Sequence, residues 1–220
     1  MNPWLDIPLD EYEAHMSAAS VAQAQFLAET LARCARTCHP ESVCILGCAG
    51  GNGFDALARS SVRRVVGVDI NPDYLATTRR RYGDSFGTLE LYCEDLTAPS
   101  CFFDPVDLVY AGLIFEYVDS RSALEAITRF LRPGGFLSVT LQLPHVTHPA
   151  VSVSPYASLA GLSAIMNFVS PADLESHART LGFSVRLGRR VVLGSGKAFH
   201  EFLFSFGRLT DEVQSSRRSE

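Results

Sequence analysis

The chain reads as an α/β protein. The expected architecture is a seven-stranded, mostly parallel sheet with helices on both faces and an antiparallel hairpin at its carboxyl end. Three observations predict it. Short apolar runs alternate with helical patterns between residues 42 and 143. A glycine-rich turn, "GCAGGNG" (47–53), follows the first apolar run. The last two apolar runs flank the tight turn "GSGK" (194–197). Strand–helix alternation implies parallel strands with right-handed crossovers, and a glycine turn between apolar runs implies a hairpin.

The elements follow in order. Residues 1–18 read as irregular and then helical. Over 20–38, Ala24, Leu27, Leu31, Cys34, Ala35 and Cys38 share one helical face, and Pro40 ends the helix. "SVCILG" (42–47) is a buried strand. A helix is expected from Gly53 to about Ser60 with Asn52 as cap, then a strand over 63–70. Asn71 and Pro72 begin the next helix and Gly83 closes it. Strands are expected at 88–96, 106–112 and 136–143. Between the last two, Leu124, Ile127 and Leu131 mark a helix closed by Pro133-Gly134-Gly135. After residue 143 the rhythm breaks, and 144–169 reads as a long insertion of mixed polarity. Ser170, Pro171 and Asp173 open a further helix that Gly182 ends. One structural domain is expected: a lid and helix over 1–40 packed on a core over 41–209, and a frayed tail over 210–220.

Composition narrows the class. A net charge of −5 disfavours nonspecific nucleic-acid or anionic-membrane binding. No apolar run approaches the roughly 18 residues of a membrane span. The acidic, prolyl start "MNPWLDIPLDEYE" does not read as a signal peptide, and with six cysteines in no CxxC pair the expected compartment is the cytoplasm. Cys34 and Cys38 lie on the apolar helical face and read as small hydrophobes, so no metal is expected.

With these residues the chain resembles the class I S-adenosylmethionine-dependent methyltransferases over nearly its full length. The carriers are "VCILGCAGG" (43–51), "VVGVDIN" (65–71), "LYCEDL" (91–96), "DLVYAGLIFEYV" (107–118), "FLRPGGFL" (130–137) and the closing hairpin. The resemblance implies a Rossmann-like methyltransferase fold and S-adenosyl-L-methionine as cofactor, with S-adenosyl-L-homocysteine as product. A rival match exists. Gly51-x-Gly53-x-x-Ala56 with Asp69 fits the dinucleotide fingerprint of an NAD-dependent oxidoreductase. That register begins late for a tight strand-to-helix turn, and no second mononucleotide-binding half follows the fifth strand. Gly47-x-Ala49-x-Gly51 begins where the strand ends.

The resemblance assigns roles residue by residue. Gly47, Cys48, Ala49 and Gly51 form the loop beside the cofactor's amino-acid moiety. Asp69 accepts the ribose hydroxyls, and Ile70 lies along the adenine. Asp95, or the adjacent Glu94, accepts the adenine amino group, and the Leu96 amide contacts the ring. Backbone carbonyls of Tyr110, Ala111 and Gly112 face the ammonium. Asp107 reads as structural, and Glu116 and Tyr117 face either the transfer site or solvent. Ile45 departs from the pattern, because the family commonly has an acid there. Tyr12, His15 and Met16, at i, i+3 and i+4, form a helix face expected to close over the site.

Methyl transfer needs a base only where the acceptor must lose a proton. His145 and His148, after the fifth strand, are the candidates, although both also read as plain loop residues. Tyr156, Met166 and Phe168 are expected to shape an apolar acceptor pocket. "YAGL" stands where enzymes acting on nucleic-acid amino groups carry Asn-Pro-Pro-Tyr, so a small-molecule acceptor is expected, with no nucleic-acid or membrane partner. The chain is expected to be a monomer or homodimer. A noncatalytic module that binds S-adenosylmethionine is the alternative of a different class.

Overall fold

A computed structural model of the chain describes residues 2–96, 100, 102–145 and 149–207. His148 and the tail over 210–220 lie outside the described residues. Seven strands form one sheet in the order β3-β2-β1-β4-β5-β7-β6. They are β1 (Ser42–Leu46), β2 (Arg64–Asp69), β3 (Thr88–Cys93), β4 (Val106–Gly112), β5 (Leu131–Gln142), β6 (Phe183–Val192) and β7 (Ala198–Phe206). β1 to β5 pair in parallel, whereas β7 runs antiparallel between β5 and β6. The strand order reverses between β1 and β4, the crevice in which such sheets bind ligands.

Period-two alternation separates two cores. Val43, Ile45, Val65, Leu108 and Tyr110 face one layer with Leu27, Leu31 and Cys34 of α2 (Gln23–Cys38). Cys44, Leu46, Val66, Val109 and Ala111 face the other, against α5 (Ser120–Phe130) and α7 (Pro171–Thr180). A strand buried on both faces reads as the near-continuous apolar run seen at β1. Cys34 is buried, as the apolar-face reading requires.

Capping fixes the helix starts. The Asn71 carboxamide oxygen accepts from the amides of Asp73 (2.9 Å) and Tyr74 (3.3 Å) at the head of α4 (Pro72–Tyr82). Ser170 accepts from Asp173 at the head of α7. Asp107 opens β4 structurally, since its Oδ2 accepts from Glu41 N, Ser42 N and the Ser42 hydroxyl.

Several expected boundaries move. α3 is only Phe54–Ala58, and Gly53, at φ +83°, precedes it; Asn52 instead donates its amide to the Ala24 carbonyl. Gly83 closes α4 where expected, though with right-handed geometry. β3 stops at Cys93, so Glu94, Asp95 and Leu96 lie beyond the strand. β5 begins at Leu131, taking in Pro133-Gly134-Gly135, because Leu131 already pairs with Val106 ahead of a register shift. α2 begins at Gln23, since Ala22 is left-handed.

Two segments outside the sheet make a roof over the carboxyl ends of the strands. One holds a 3-10 turn (Pro3–Leu5) and α1 (Leu9–Ser17). The other holds a 3-10 turn (Ala157–Gly161) and α6 (Leu162–Ile165). They share an apolar cluster around Ile7, Leu159 and Leu162, with Trp4, Tyr117 and Tyr156 against it.

Candidate active site

The loop after β1 is tied to the end of β2. Gly47 N and Cys48 N both donate to Val68 O, at 2.8 and 3.2 Å. Ala49 N donates to Asp69 Oδ2 at 2.8 Å. The chain turns through left-handed geometry at Gly47 (φ +67°), Ala49 (φ +45°) and Gly51 (φ +89°). A Cβ on Gly51 would lie 2.5 Å from the Tyr82 ring. The early glycine register therefore makes the tight turn, and Gly53 belongs to the start of α3. The amides of residues 47–49 point at β2 rather than outward into a cradle for a pyrophosphate.

Asp69 is buried at this junction. Its Oδ1 accepts from Asn71 N at 2.9 Å, and the carboxylate, with about four lone-pair sites, keeps capacity for further donors. Burial pushes its pKa above the usual carboxylate value, while the Asn71, Ala49 and Ile70 amides pull it down.

A cleft of about 750 Å³ opens beside this carboxylate. Gly47, Ala49, Asp69, Ile70, Asp95 and Leu96 lie in its wall. Asp95 is exposed at the rim, whereas the Glu94 carboxylate is turned to Ser100, accepting from its amide and hydroxyl. Gly112 lines the cleft too, while Ala111 is fully buried and lines none of the cavities described here. Tyr110 is buried with its hydroxyl donating to Leu27 O at 3.0 Å. The wall fits S-adenosylmethionine in its chemistry: a buried carboxylate with spare acceptor capacity, the apolar Ile70 and Leu96, and a rim acid occur together.

A second cavity of about 510 Å³ adjoins the first, sharing Trp4, Tyr12, Leu113 and Tyr117. Leu113 adopts φ +58° as the chain leaves β4, a strained geometry for a bulky residue. Beyond it, Glu116 is buried in the second cavity's wall. Its Oε1 accepts from Gln142 N at 2.6 Å, and its Oε2 has no hydrogen-bond partner. Burial pushes its pKa up to about 7. Lys197, Gln23 and Gln142 share this wall with His15 and Met16. Met166 lines it as well, whereas Tyr156 packs in the roof cluster and Phe168 is exposed.

A third cavity runs along the loop itself. Ile45, Gly47, Cys48, Gly51 and Tyr110 border it, and across from them are Tyr12, Glu13 and Met16 of α1. Glu13 ion-pairs with Arg81 at 2.5 Å, and the same guanidinium donates to Gly50 O at 3.0 Å.

Of the sequence-derived candidates, those of the loop, β2 and the turn after β3 converge, and Tyr12 lines all three cavities. His145 does not join them. It is exposed and outside the walls of all three cavities, because the chain turns away from the sheet after Gln142. Sequence reasoning missed Trp4, Tyr74 and Lys197 and left Glu116 open. Among the described residues no helix is long and apolar enough to cross a membrane, and no cluster of metal-ligating side chains occurs.

Residues 45–139 match the family model described as "Methyltransferase domain". Comparison with curated proteins finds no match to the sequence. Among solved structures, the [4+2]-cyclase SpnF superposes with a TM-score of 0.65 at 15% identity, covering 86% of this chain and 84% of that one. The N-methyltransferase NodS from Bradyrhizobium japonicum, in complex with S-adenosyl-L-homocysteine, gives 0.64 at 13% identity, covering 84% and 88%. The methyltransferase domain of bacterial CtHen1-C gives 0.60 at 16% identity, covering 84% and 98%. At such identities the superpositions speak for the fold, and a cyclase among them illustrates how one fold carries several chemistries. Residues 45–139 thus carry a methyltransferase domain, and the sheet order and the superpositions give the chain the fold of the class I S-adenosylmethionine-dependent methyltransferases.

Proposed function

We propose that the chain methylates a protic group of a small-molecule acceptor by in-line transfer. The observation that carries this reading is the pair of roofed cavities sharing one wall, of which only the first holds the Asp69 carboxylate. In this reading Asp69 accepts the ribose hydroxyls, Ile70 and Leu96 flank the adenine, and Asp95 accepts its amino group. Glu94, held by Ser100, is the weaker choice for that role. The amino-acid end lies along the third cavity, with its ammonium against the Gly47 and Gly112 carbonyls. Ile45 supplies no charge there, but Glu13 and Asp55 border the same cavity.

A sulfonium donor supplies an activated methyl and a neutral leaving group, so the chain's own work is positioning, exclusion of water and handling of one proton. Trp4, Tyr12 and Tyr117 keep the shared wall apolar. In this reading Glu116, rather than His145, takes the acceptor's proton, since among the described residues it alone contributes a carboxylate to the second cavity. A base whose pKa lies near the working pH is the efficient one.

Calorimetric titration of S-adenosylmethionine and S-adenosylhomocysteine, with NAD as control, tests the assignment. Both sulfur compounds should bind and NAD should not. Asp69→Ala should weaken binding by about 1.5–3 kcal/mol, the usual range for hydrogen bonds to a charged group. Asp69→Asn, which keeps one acceptor oxygen for the loop, should fall between. Unchanged affinity in both variants would remove Asp69 from the site.

A further inference from the structure

The second cavity holds a cation that no carboxylate pairs with among the described residues. Lys197 precedes β7 and is 4% exposed. Its ammonium donates to Ala150 O at 3.0 Å and to Gln142 Oε1 at 3.4 Å, both uncharged acceptors. Among the described residues no carboxylate lies within ion-pair distance of it. An ammonium has three donors, so one remains for another partner. Burial lowers its pKa to about 8, which leaves it mostly charged at neutral pH.

The neighbouring groups do not cancel this charge. His15, in the same wall, is pushed toward its neutral form by burial and by the Lys197 charge. Glu116 is shifted by its own burial and by amide hydrogen bonds, with no opposing pull from the lysine. The Gln142 residue stands between them, donating its amide to Glu116 and accepting from Lys197 through its side chain. Apart from Gln23 and Ser152 the rest of the wall is apolar or aromatic, with Val151, Leu159, Leu162 and Met166. A buried, incompletely bonded cation in an apolar chamber is costly without a counter-charge, and a ligand anion supplies one.

We propose that Lys197 is a specificity residue for the acceptor: the second cavity takes a small organic acid, with its apolar body against Leu159, Leu162 and Met166 and its carboxylate on the Lys197 ammonium. This rests on the reading that the second cavity is the acceptor chamber. It orients the acceptor by two ends, since the anion is held at Lys197 while a protic group faces Glu116. Neutral molecules of the same shape leave the cation unpaired and bind less well.

The test uses the full chain saturated with S-adenosylhomocysteine and titrated calorimetrically with benzoate and octanoate, an aryl and an alkyl acid. Benzamide serves as the neutral isostere. At least one acid should bind, and benzamide should bind at least tenfold more weakly than benzoate wherever benzoate is the ligand. Lys197→Met should lower affinity for that acid at least tenfold, and Lys197→Arg should restore part of it. S-adenosylhomocysteine affinity should be unchanged in both variants, which reports an intact fold and first cavity. Failure of both acids to bind the wild type overturns the inference, as does equal binding by Lys197→Met. If the wild type does not bind S-adenosylhomocysteine, the reading of the first cavity fails and takes this inference with it.

Discussion

Glu116 is the residue at which packing and chemistry conflict most. Its carboxyl is buried with one oxygen unpartnered, so the charged form is disfavoured and its pKa stands near 7. An unfolded glutamate titrates at about 4.3. Between those values the folded state binds the extra proton, so this group's contribution to stability declines as pH rises from 4.3 to 7 and stays low above it. Glu116→Gln keeps an acceptor for Gln142 N and removes the charge. It should therefore stabilise the protein at pH 8 by on the order of 1–3 kcal/mol, with the gain vanishing below pH 4.5, as read from urea unfolding at several pH values. The same variant should lose turnover by about 100-fold or more if Glu116 takes the proton, with S-adenosylhomocysteine affinity unchanged. Wild-type turnover should rise as pH passes through 7. A stabilised variant of full activity would leave Glu116 a structural residue. The sequence exposes such residues poorly. Glu116 and Gln142 are 26 positions apart, and Lys197 and Ala150 are 47 apart, so only the folded roof shows that they are buried together. The junction of Asp69 was legible because its partners, Ala49 and Asn71, belong to one strand–loop–helix–strand unit close in sequence.

At the scale of elements, the loop after β1 carries the clearest mechanical demand. Gly51 and Gly134 have nearly the same backbone, with φ of +89° and +84°. A methyl group at Gly134 meets nothing within 4 Å, whereas at Gly51 it meets the Tyr82 ring at 2.5 Å. Gly134→Ala should therefore cost only the left-handed strain, about 1–2 kcal/mol. Gly51→Ala adds overpacking against α4 and should cost about 2–5 kcal/mol in denaturant unfolding. Equal losses would mean that Tyr82 moves aside freely. The glycine register was readable because a tight turn needs its flexible residue where the strand ends. Helix boundaries were less readable where a side chain found another partner. Asn52 fits a cap by type, yet its amide bonds Ala24 on α2, and a left-handed Gly53 starts α3 instead. β5 was read short because Pro133-Gly134-Gly135 is a turn signal, but one bulge lets Leu131 pair with Val106 before it.

At the scale of the whole molecule, the sheet makes the site and two sequence-distant segments close it. Strand alternation announced the sheet, but nothing local announces that residues 2–17 and 150–166 meet above it. Polar ties bind the first segment to α4 and its cap, and one more joins the two segments directly. Asn71 donates to Trp4 O at 2.9 Å, Tyr74 donates to Ile7 O at 2.9 Å, Arg81 pairs with Glu13, and Ser158 donates to Glu11. Trp4 completes the closure, edge-on to Tyr12 at 5.5 Å and to Tyr117 at 5.0 Å. It is part of the wall that both cavities share, so under the proposed function ligand exchange requires this aromatic cluster to part. Trp4→Ala removes the central ring while leaving both sheet cores untouched. It should speed S-adenosylhomocysteine dissociation about tenfold, since a buried aromatic contact is worth on the order of 1–2 kcal/mol. In the wild type, bound S-adenosylhomocysteine should slow amide exchange over 9–17 and 157–165 as well as in the glycine loop, because the roof then opens less often. Stopped-flow dissociation and hydrogen exchange read the two effects independently. Protection confined to the loop, with dissociation from Trp4→Ala unchanged, would make the roof passive packing and leave the ligand's exit path elsewhere.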